Sequence, residues 1–213
     1  MDVAYPIRAV VPTLEGPVLA VVARTTRPLS GLEIHRLAGT GSPNGVRLAL
    51  TRLVAQGVVH ADERAGAIFY SANRAHVAWP AVEVLAGLRR AMLERIRGAV
   101  RSWPMQPAHA SLFGSVARAD GDADSDVDIL LVRSDAVVAD EAAWDGQVDT
   151  LRVDVKSWTG NRCQPFDLTV ERLADHVNAD DPLVDDWLRD GVAIAGDDLR
   201  AVLRRIRRRG GQG

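Results

Sequence analysis

Two aspartates, Asp126 and Asp128, lie one residue apart at the start of the apolar segment "DVDILLV". Alternate side chains of a β-strand share a face, so both carboxylates project together while Val127 and Ile129 turn towards the core. Two like charges this close repel each other unless a cation lies between them. Mg²⁺ prefers one or two carboxylates together with phosphate oxygens and water. The pair therefore predicts a platform for a metal ion and a nucleotide.

A Gly-Ser pair, Gly114 and Ser115, precedes the aspartates by twelve residues and follows the short predicted strand "AHASLFG". Gly114 leaves room for a ligand to approach the backbone, and Ser115 opens a predicted helix. The free N–H groups and the dipole at the start of a helix favour a phosphate. Each signal is weak alone, but together and in this order they indicate a nucleotide site.

The stretch "LFGSVARADGDADSDVDILLV" resembles the signature of the DNA polymerase β-type nucleotidyltransferases. It is most similar to the minimal nucleotidyltransferase proteins and to the antibiotic-modifying enzymes related to them. Their pattern is Gly-Ser, then Ala-Arg-Gly, then Ser-Asp-x-Asp. The resemblance covers roughly residues 108–178, and Ala119 stands where most members have glycine. The matching residues are Gly114, Ser115, Ala117, Arg118, Ser125, Asp126 and Asp128.

This resemblance implies transfer of a nucleoside monophosphate (NMP) from a nucleoside triphosphate (NTP) to an acceptor, with release of pyrophosphate. ATP, CTP and GTP stay open, as does the acceptor. Asp126 and Asp128 would bridge two Mg²⁺ ions about 3.5–4 Å apart. Arg118 either neutralises phosphate charge or only braces its helix. The implied nucleotide-binding residues are Gly114, Ser115, Arg118 and Ser125.

Members of this family usually carry a third carboxylate on a later strand, where it helps to bind the catalytic metal and can accept the acceptor's proton. Asp167 in "QPFDLTV" is the candidate, because a carboxylate inside an apolar strand needs a reason. Gln164 lies in the same strand at an odd spacing, and therefore on the opposite face. If Gln164 faces the site, Asp167 points away and catalysis is weak or absent. The sequence leaves both orientations open.

The N-terminal part predicts three helices and then a β-hairpin, "VVHADERAGAIFYSA", with its turn near Glu63 to Gly66. This order resembles the winged helix-turn-helix of bacterial regulators of the MarR and ArsR type. There the third helix, here "VRLALTRLVAQG", enters the major groove and the wing touches the DNA backbone or the minor groove. The alternatives are arginines that only solvate a helix face, or a module that docks a protein or a second copy. The implied DNA-binding residues are Asn44, Arg47, Arg52 and Arg64.

Residues 76–101 predict one long amphipathic connecting helix, which Pro104 and Pro107 end. We therefore expect a winged helix in residues 1–80, a connecting helix in 81–103 and a nucleotidyltransferase domain with C-terminal helices in 104–213. The expected fold class is α/β (α+β), with a mixed sheet flanked by helices in the second domain. The basic tail is expected to fray after Arg209.

The charge of the chain is divided between its halves. Residues 1–101 carry 13 arginines and 7 acidic residues, a net charge of +6, and residues 102–213 carry a net charge of −8. A basic half suits a polyanion such as DNA, and an acidic half suits metal ions. No apolar run is long enough to cross a membrane, and the N-terminus does not resemble a secretory signal. The single cysteine excludes an internal disulfide, so we expect a cytoplasmic protein.

Two functions follow from these patterns. The first is an Mg²⁺-dependent nucleotidyltransferase whose winged helix selects a DNA or protein partner. The alternative is a DNA-binding regulator or antitoxin whose second domain only binds a nucleotide or a partner protein. Whether the chain forms a homodimer stays open.

Overall fold

The chain divides into two compact units in a computed structural model that describes residues 1–134 and 140–210. One unit contains Asp2 and residues 4–90, and the other contains Met1, Val3 and the residues from Ala91 onward. The domain limits inferred from the sequence stay a prediction. Beyond residue 210, the expected fraying of the tail lies outside the described residues.

The first unit is a group of helices with a small antiparallel sheet, ordered β1-β3-β2. This order of elements agrees with the helices and hairpin expected of a winged helix-turn-helix. Strand β1 was not predicted, because two residues carry no periodicity. After a 3₁₀ turn at Pro6–Ala9 come α1 (Glu15–Arg24), β1 (Leu29–Ser30), α2 (Gly31–Ala38), α3 (Pro43–Ala55), β2 (Val59–Arg64), β3 (Ala67–Ala72) and α4 (Trp79–Ala86).

Local signals in the sequence set the ends of α2 and α3. The Ser30 hydroxyl accepts a hydrogen bond from the Glu33 N–H, and the Glu33 carboxylate accepts one from the Ser30 N–H, which forms a capping box. Gly39 ends α2 in the left-handed region at φ 62°. Ser42 caps α3 and Pro43 occupies its first turn.

The second unit contains a mixed four-stranded sheet, ordered β6-β5-β4-β7. Strands β5 and β6 are parallel, and β4 is antiparallel to both of its neighbours, β5 and β7. The elements are α5 (Leu88–Arg101), β4 (His109–Phe113), α6 (Gly114–Arg118), β5 (Val127–Val132), α7 (Glu141–Thr159), β6 (Cys163–Leu168), α8 (Val170–Asn178), α9 (Pro182–Asp190), β7 (Val192–Gly196) and α10 (Leu199–Gly210).

Helices cover both faces of this sheet, as expected. Ile129 and Leu131 of β5 pack in a buried cluster with residues of α5 and α7. Leu130 and Val132 turn to the other face, into a cluster with residues of α8, α9 and α10, including Trp187. Strand β5 is therefore buried on both sides. Because its side chains alternate between the two faces of the sheet, the position of each residue decides which helices it contacts.

The predicted single connecting helix over 76–101 is wrong, because two helices occupy this stretch and Gly87 separates them. The N–H of Gly87 donates to the carbonyl oxygen of Glu83 and ends α4. The apolar stripe continues on both sides of the break, which is why hydrophobic spacing alone does not reveal it. Across the described residues, no helix is long and apolar enough to span a membrane.

The capping box of α2 gives a stability prediction for the first unit. Ser30→Ala removes the hydroxyl that satisfies the Glu33 N–H, so we expect the free energy of unfolding to fall by about 1 kcal/mol. Urea unfolding followed by circular dichroism measures this change. Thr26→Ala, at an exposed position before the helix, is the control and should stay within about 0.5 kcal/mol of wild type. Equal effects of the two substitutions would show that the box contributes no stability.

Candidate active site

The Gly-Ser loop and the aspartate pair meet because β4 and β5 are antiparallel neighbours. Phe113, the last residue of β4, lies opposite Asp128. Gly114 follows at φ +70°, and a β-carbon there would lie 2.5 Å from the Asp128 Oδ2 atom. Only glycine allows both this backbone conformation and the close approach of the carboxylate.

Asp126 and Asp128 lie on the sheet face that α8, α9 and α10 cover, since Val127 and Ile129 belong to the cluster on the opposite face. Both carboxylates are partly exposed. Burial raises the pKa of Asp128, the negative charge of Asp126 raises it further, and Arg118 opposes the shift. A proton therefore competes with a cation at Asp128 at a higher pH than at an ordinary aspartate.

Gln164 occupies the position beside this pair where a third carboxylate was expected. In the parallel ladder Asp128 lies opposite Gln164, and Leu131 lies opposite Asp167. Residues paired across two strands project to the same face. Gln164 therefore shares the face of Asp128, and its exposed amide offers an oxygen but no negative charge.

Asp167 does not join the pair, so the prediction that it supplies a third metal ligand is contradicted by the strand register. Its Oδ2 atom accepts hydrogen bonds from Arg133 Nη2 at 2.8 Å and from Trp144 Nε1 at 3.0 Å. The side chain is only 15% exposed. Asp167 thus has a structural reason to be in an apolar strand, because it joins β6 to the end of β5 and to α7.

Arg162, which sequence reasoning missed, lies beside Asp126. The two residues directly precede the first pair of the ladder, and Arg162 Nη2 lies 3.1 Å from Asp126 Oδ2. The same nitrogen lies 3.5 Å from the amide oxygen of Gln164. The sequence did contain a signal for Arg162. It is two residues from Gln164, and side chains two residues apart along a strand share a face.

Asn161, also missed, anchors the loop that leads to the aspartates. Its buried side-chain amide donates hydrogen bonds to the carbonyl oxygens of Ala123 and Ser125, at 3.1 Å and 2.9 Å. The predicted nucleotide-binding residue Ser125 also closes this loop, because its hydroxyl bonds the Asp122 N–H and carboxylate. Both residues therefore hold Asp126 at the start of β5.

The other predicted nucleotide-binding residues flank this loop. A β-carbon on Gly121 would lie 2.9 Å from Ser115 Oγ and 3.0 Å from Ser125 Oγ, so both serines border that glycine. Arg118 pairs with Asp120 at 2.9 Å and with Asp190 of α9 at 3.1 Å. Of its two expected roles, these ion pairs favour bracing α6 over binding phosphate.

Ala119, which stands where most members of the family have glycine, has an unusual backbone conformation. Ala119 adopts φ 62°, ψ 34°, in the left-handed region where a β-carbon is unfavourable. The glycine in the signature suits this backbone, and the alanine here adopts it at a cost in stability. The backbone conformation of the loop is therefore kept despite the substitution.

The donor set suits one divalent cation better than two. Within the described ranges, no group of three or more His, Cys, Asp or Glu side chains is placed to hold a metal ion. Asp126 and Asp128 give two carboxylates, which with phosphate oxygens and water match the preference of Mg²⁺. A second ion, expected from the resemblance, would lack the carboxylate that Gln164 replaces.

The predicted DNA-binding residues are all exposed, but most of their charge is already paired. Arg47 donates to the Asn44 side chain at 2.9 Å, so these two occupy the same face of α3. Arg52 forms an ion pair with Glu15 of α1. Arg64 pairs with Asp62 at 2.6 Å at the end of β2. Arg47 is thus the one of these three arginines whose observed partner is not a carboxylate.

The second unit matches a known protein family over residues 93–179, under the description "Nucleotidyltransferase domain". The chain contains a polymerase β-like nucleotidyltransferase domain. This matched segment includes the Gly-Ser loop, the aspartate pair and both strands that carry Asp128 and Gln164. No curated protein sequence matches the chain.

A solved structure, human N-acetylserotonin methyltransferase in complex with SAM, also matches, with 20% sequence identity and a TM-score of 0.29. The match covers 49% of this chain and 32% of the methyltransferase, so the chain spans about a third of that protein's length. A TM-score this low does not indicate a shared fold or function.

Gly114 of the nucleotidyltransferase domain allows a direct test of the site geometry. Gly114→Ala forces a β-carbon against the Asp128 carboxylate and strains a positive φ, so we expect a loss of about 1–3 kcal/mol in unfolding free energy. Chemical denaturation measures it. Gly98→Ala, in α5 with nothing near its β-carbon, is the matched control and should stabilise by up to about 1 kcal/mol. A stable Gly114→Ala variant would contradict the close packing of Asp128 on this loop.

Proposed function

We propose that the nucleotidyltransferase domain binds a nucleoside triphosphate together with Mg²⁺ at Asp126 and Asp128, and that it transfers NMP to an acceptor only slowly. The observation that carries this proposal is the shared face of the two carboxylates beside Gly114, in a segment that matches the family. Burial and then the negative charge of Asp126 raise the pKa of Asp128 even though Arg162 pairs with Asp126, so a further cation beside Asp128 would be favourable. A metal-bound triphosphate supplies that cation.

The residues of this chain divide the work of binding. Asp126 and Asp128 would hold the Mg²⁺ ion, which supplies charge neutralisation at the phosphates when it is bound. Gly114 lets the Asp128 carboxylate pack against the backbone of the Gly-Ser loop, so a metal ion held by Asp128 would lie beside this loop. Asn161 and Ser125 keep the aspartate loop in place through their hydrogen bonds to it.

Slow transfer follows from the residues beside the pair. A carboxylate near the acceptor hydroxyl could take its proton, but Gln164 has no such capacity. Asp167 is held by Arg133 and Trp144 on the other face of the strand. The reaction would therefore depend on water or on a group of the acceptor to remove the proton. Nucleotide binding is the activity that the site supports most directly.

A second candidate function, DNA binding, belongs to the first unit. Its helices and hairpin follow the order of a winged helix-turn-helix, and α3 presents Asn44 and Arg47 together on an exposed face. Arg can pair with phosphates or guanine edges, and Asn can pair with adenine. Because Arg52 and Arg64 already pair with carboxylates, we expect Arg47 to dominate the contact. A protein partner or a second copy of the chain are the other occupants to test.

The nucleotide proposal predicts Mg²⁺-dependent binding. Titration of the whole chain with a fluorescent NTP should give saturable binding with Mg²⁺ and none with excess EDTA. Asp128→Asn should weaken the affinity at least about 100-fold, because it removes a charged metal ligand. Asp149→Asn on the exposed surface of α7 is the matched control and should bind like wild type.

The Asp167→Asn variant distinguishes the proposed metal site at Asp126 and Asp128 from an alternative site in which Asp167 is a metal ligand. We expect it to lower the unfolding free energy by about 1–3 kcal/mol, through the lost ion pair with Arg133, while the NTP affinity stays unchanged. Loss of NTP binding by folded Asp167→Asn, or full binding by Asp128→Asn, would contradict the proposed site.

The DNA proposal predicts salt-dependent binding that relies on Arg47. Fluorescence anisotropy with a pool of genomic fragments at low salt should show about 10-fold weaker binding for Arg47→Ala than for wild type. Arg64→Ala, whose charge Asp62 already neutralises, is the comparison and should lose less. Absence of binding by wild type at low salt, or equal binding by Arg47→Ala, would contradict this function.

A further inference from the structure

The strand ladder itself brings Arg162 to the site. Val127 lies opposite Cys163, and the Val127 N–H donates to the carbonyl oxygen of Arg162 at 2.8 Å. This bond fixes Arg162 next to Asp126, one step before the first pair of the ladder. The ion pair between their side chains, at 3.1 Å, is therefore a consequence of the backbone register.

Arg162 and Gln164 lie where a second metal ion would need negatively charged ligands. Both face the aspartates, and neither offers a negatively charged oxygen. A second divalent cation would have to share Asp126 with a guanidinium that already pairs with it. Like charges at this separation repel, so the second cation is disfavoured.

The positive charge that a second metal ion would bring to the site is nevertheless supplied by Arg162. A second divalent cation with one more carboxylate adds a net charge of about one positive unit, which is the charge of a guanidinium beside a neutral amide. A triphosphate at the site would therefore meet the same net charge in both arrangements. Guanidinium groups also bind phosphate oxygens with two parallel hydrogen bonds.

We propose that the guanidinium of Arg162 takes the place of a second metal ion, so that the site holds one divalent cation for each bound nucleoside triphosphate. This inference rests on the proposed nucleotide binding. The ion pair is suited to the role, because the Arg162 side chain is 70% exposed and that of Asp126 is 34% exposed. Exposed pairs contribute at most about 1 kcal/mol, so Arg162 can leave Asp126 and contact phosphate at little cost.

The test counts metal ions in the whole chain. Mn²⁺ is titrated, with electron paramagnetic resonance of the free ion as the readout, in the presence of saturating α,β-methylene NTP, which cannot be cleaved at the α-phosphorus. We expect one tightly bound Mn²⁺ per chain in wild type and two in the double variant Arg162→Ala with Gln164→Asp. The double variant lacks the guanidinium and regains a third carboxylate.

A single substitution tests the role of the guanidinium. Arg162→Ala should weaken binding of the Mn²⁺-loaded analogue about 10-fold, as expected for a lost hydrogen bond between charged groups. Without nucleotide, the same variant should bind Mn²⁺ more tightly than wild type, because the competing cation is gone. Arg152→Ala, an exposed arginine on α7 paired with Asp149, is the matched control and should change neither affinity.

Two bound Mn²⁺ ions per analogue in wild type would overturn the inference, as would unchanged affinities in Arg162→Ala. Failure of the proposed function has a different signature. In that case the wild-type chain would leave the analogue unbound with Mn²⁺ present, as we expect of Asp128→Asn, and this result would also contradict the inference.

Discussion

The ion pair between Asp167 and Arg133 fixes which face of β6 meets the aspartate pair. Asp167 accepts hydrogen bonds from the Arg133 guanidinium and from the Trp144 indole on the α7 side of the sheet. A slip of one residue in a strand would move each of its side chains to the other face. The slip would also leave a poorly exposed carboxylate and a guanidinium without each other, which is costly. This contact therefore keeps Gln164 beside Asp128. As a result, a neutral amide and not a third carboxylate lies next to the aspartate pair.

The local patterns of the chain were sufficient for much of the site. Alternation placed Asp126 and Asp128 on one face, and the glycine at 114 indicated the close approach that its positive φ allows. The orientation of β6 could not be predicted in the same way. It depends on Arg133 and Trp144, which are 34 and 23 residues away from Asp167 in the sequence. Their odd spacing showed that Gln164 and Asp167 lie on opposite faces of β6. Only tertiary contacts decide which of the two faces the aspartate pair.

The same distinction holds for the fold. Ser30, Gly39 and Ser42 act on the backbone within a few residues, so the ends of α2 and α3 were predictable. The break at Gly87 was not, because apolar residues continue at helical spacing on both sides of it. Asn161 was overlooked for a related reason: its partners, Ala123 and Ser125, are far from it in the chain.

In the function that we propose, Asp126 and Asp128 would hold a metal-bound triphosphate, while the amide of Gln164 lies beside them in place of a proton-accepting carboxylate. Arg162 adds a positive charge that the signature did not indicate. This combination favours recognition of a nucleotide over rapid turnover.

We propose that the metal site consists of Asp126 and Asp128, with Gln164 rather than Asp167 beside them. The most direct measurement is anomalous diffraction from crystals grown with Mn²⁺ and a non-hydrolysable NTP. We expect one anomalous peak per chain, bonded to carboxylate oxygens of both Asp126 and Asp128. A peak bonded to Asp167, or a peak away from both aspartates, would contradict it.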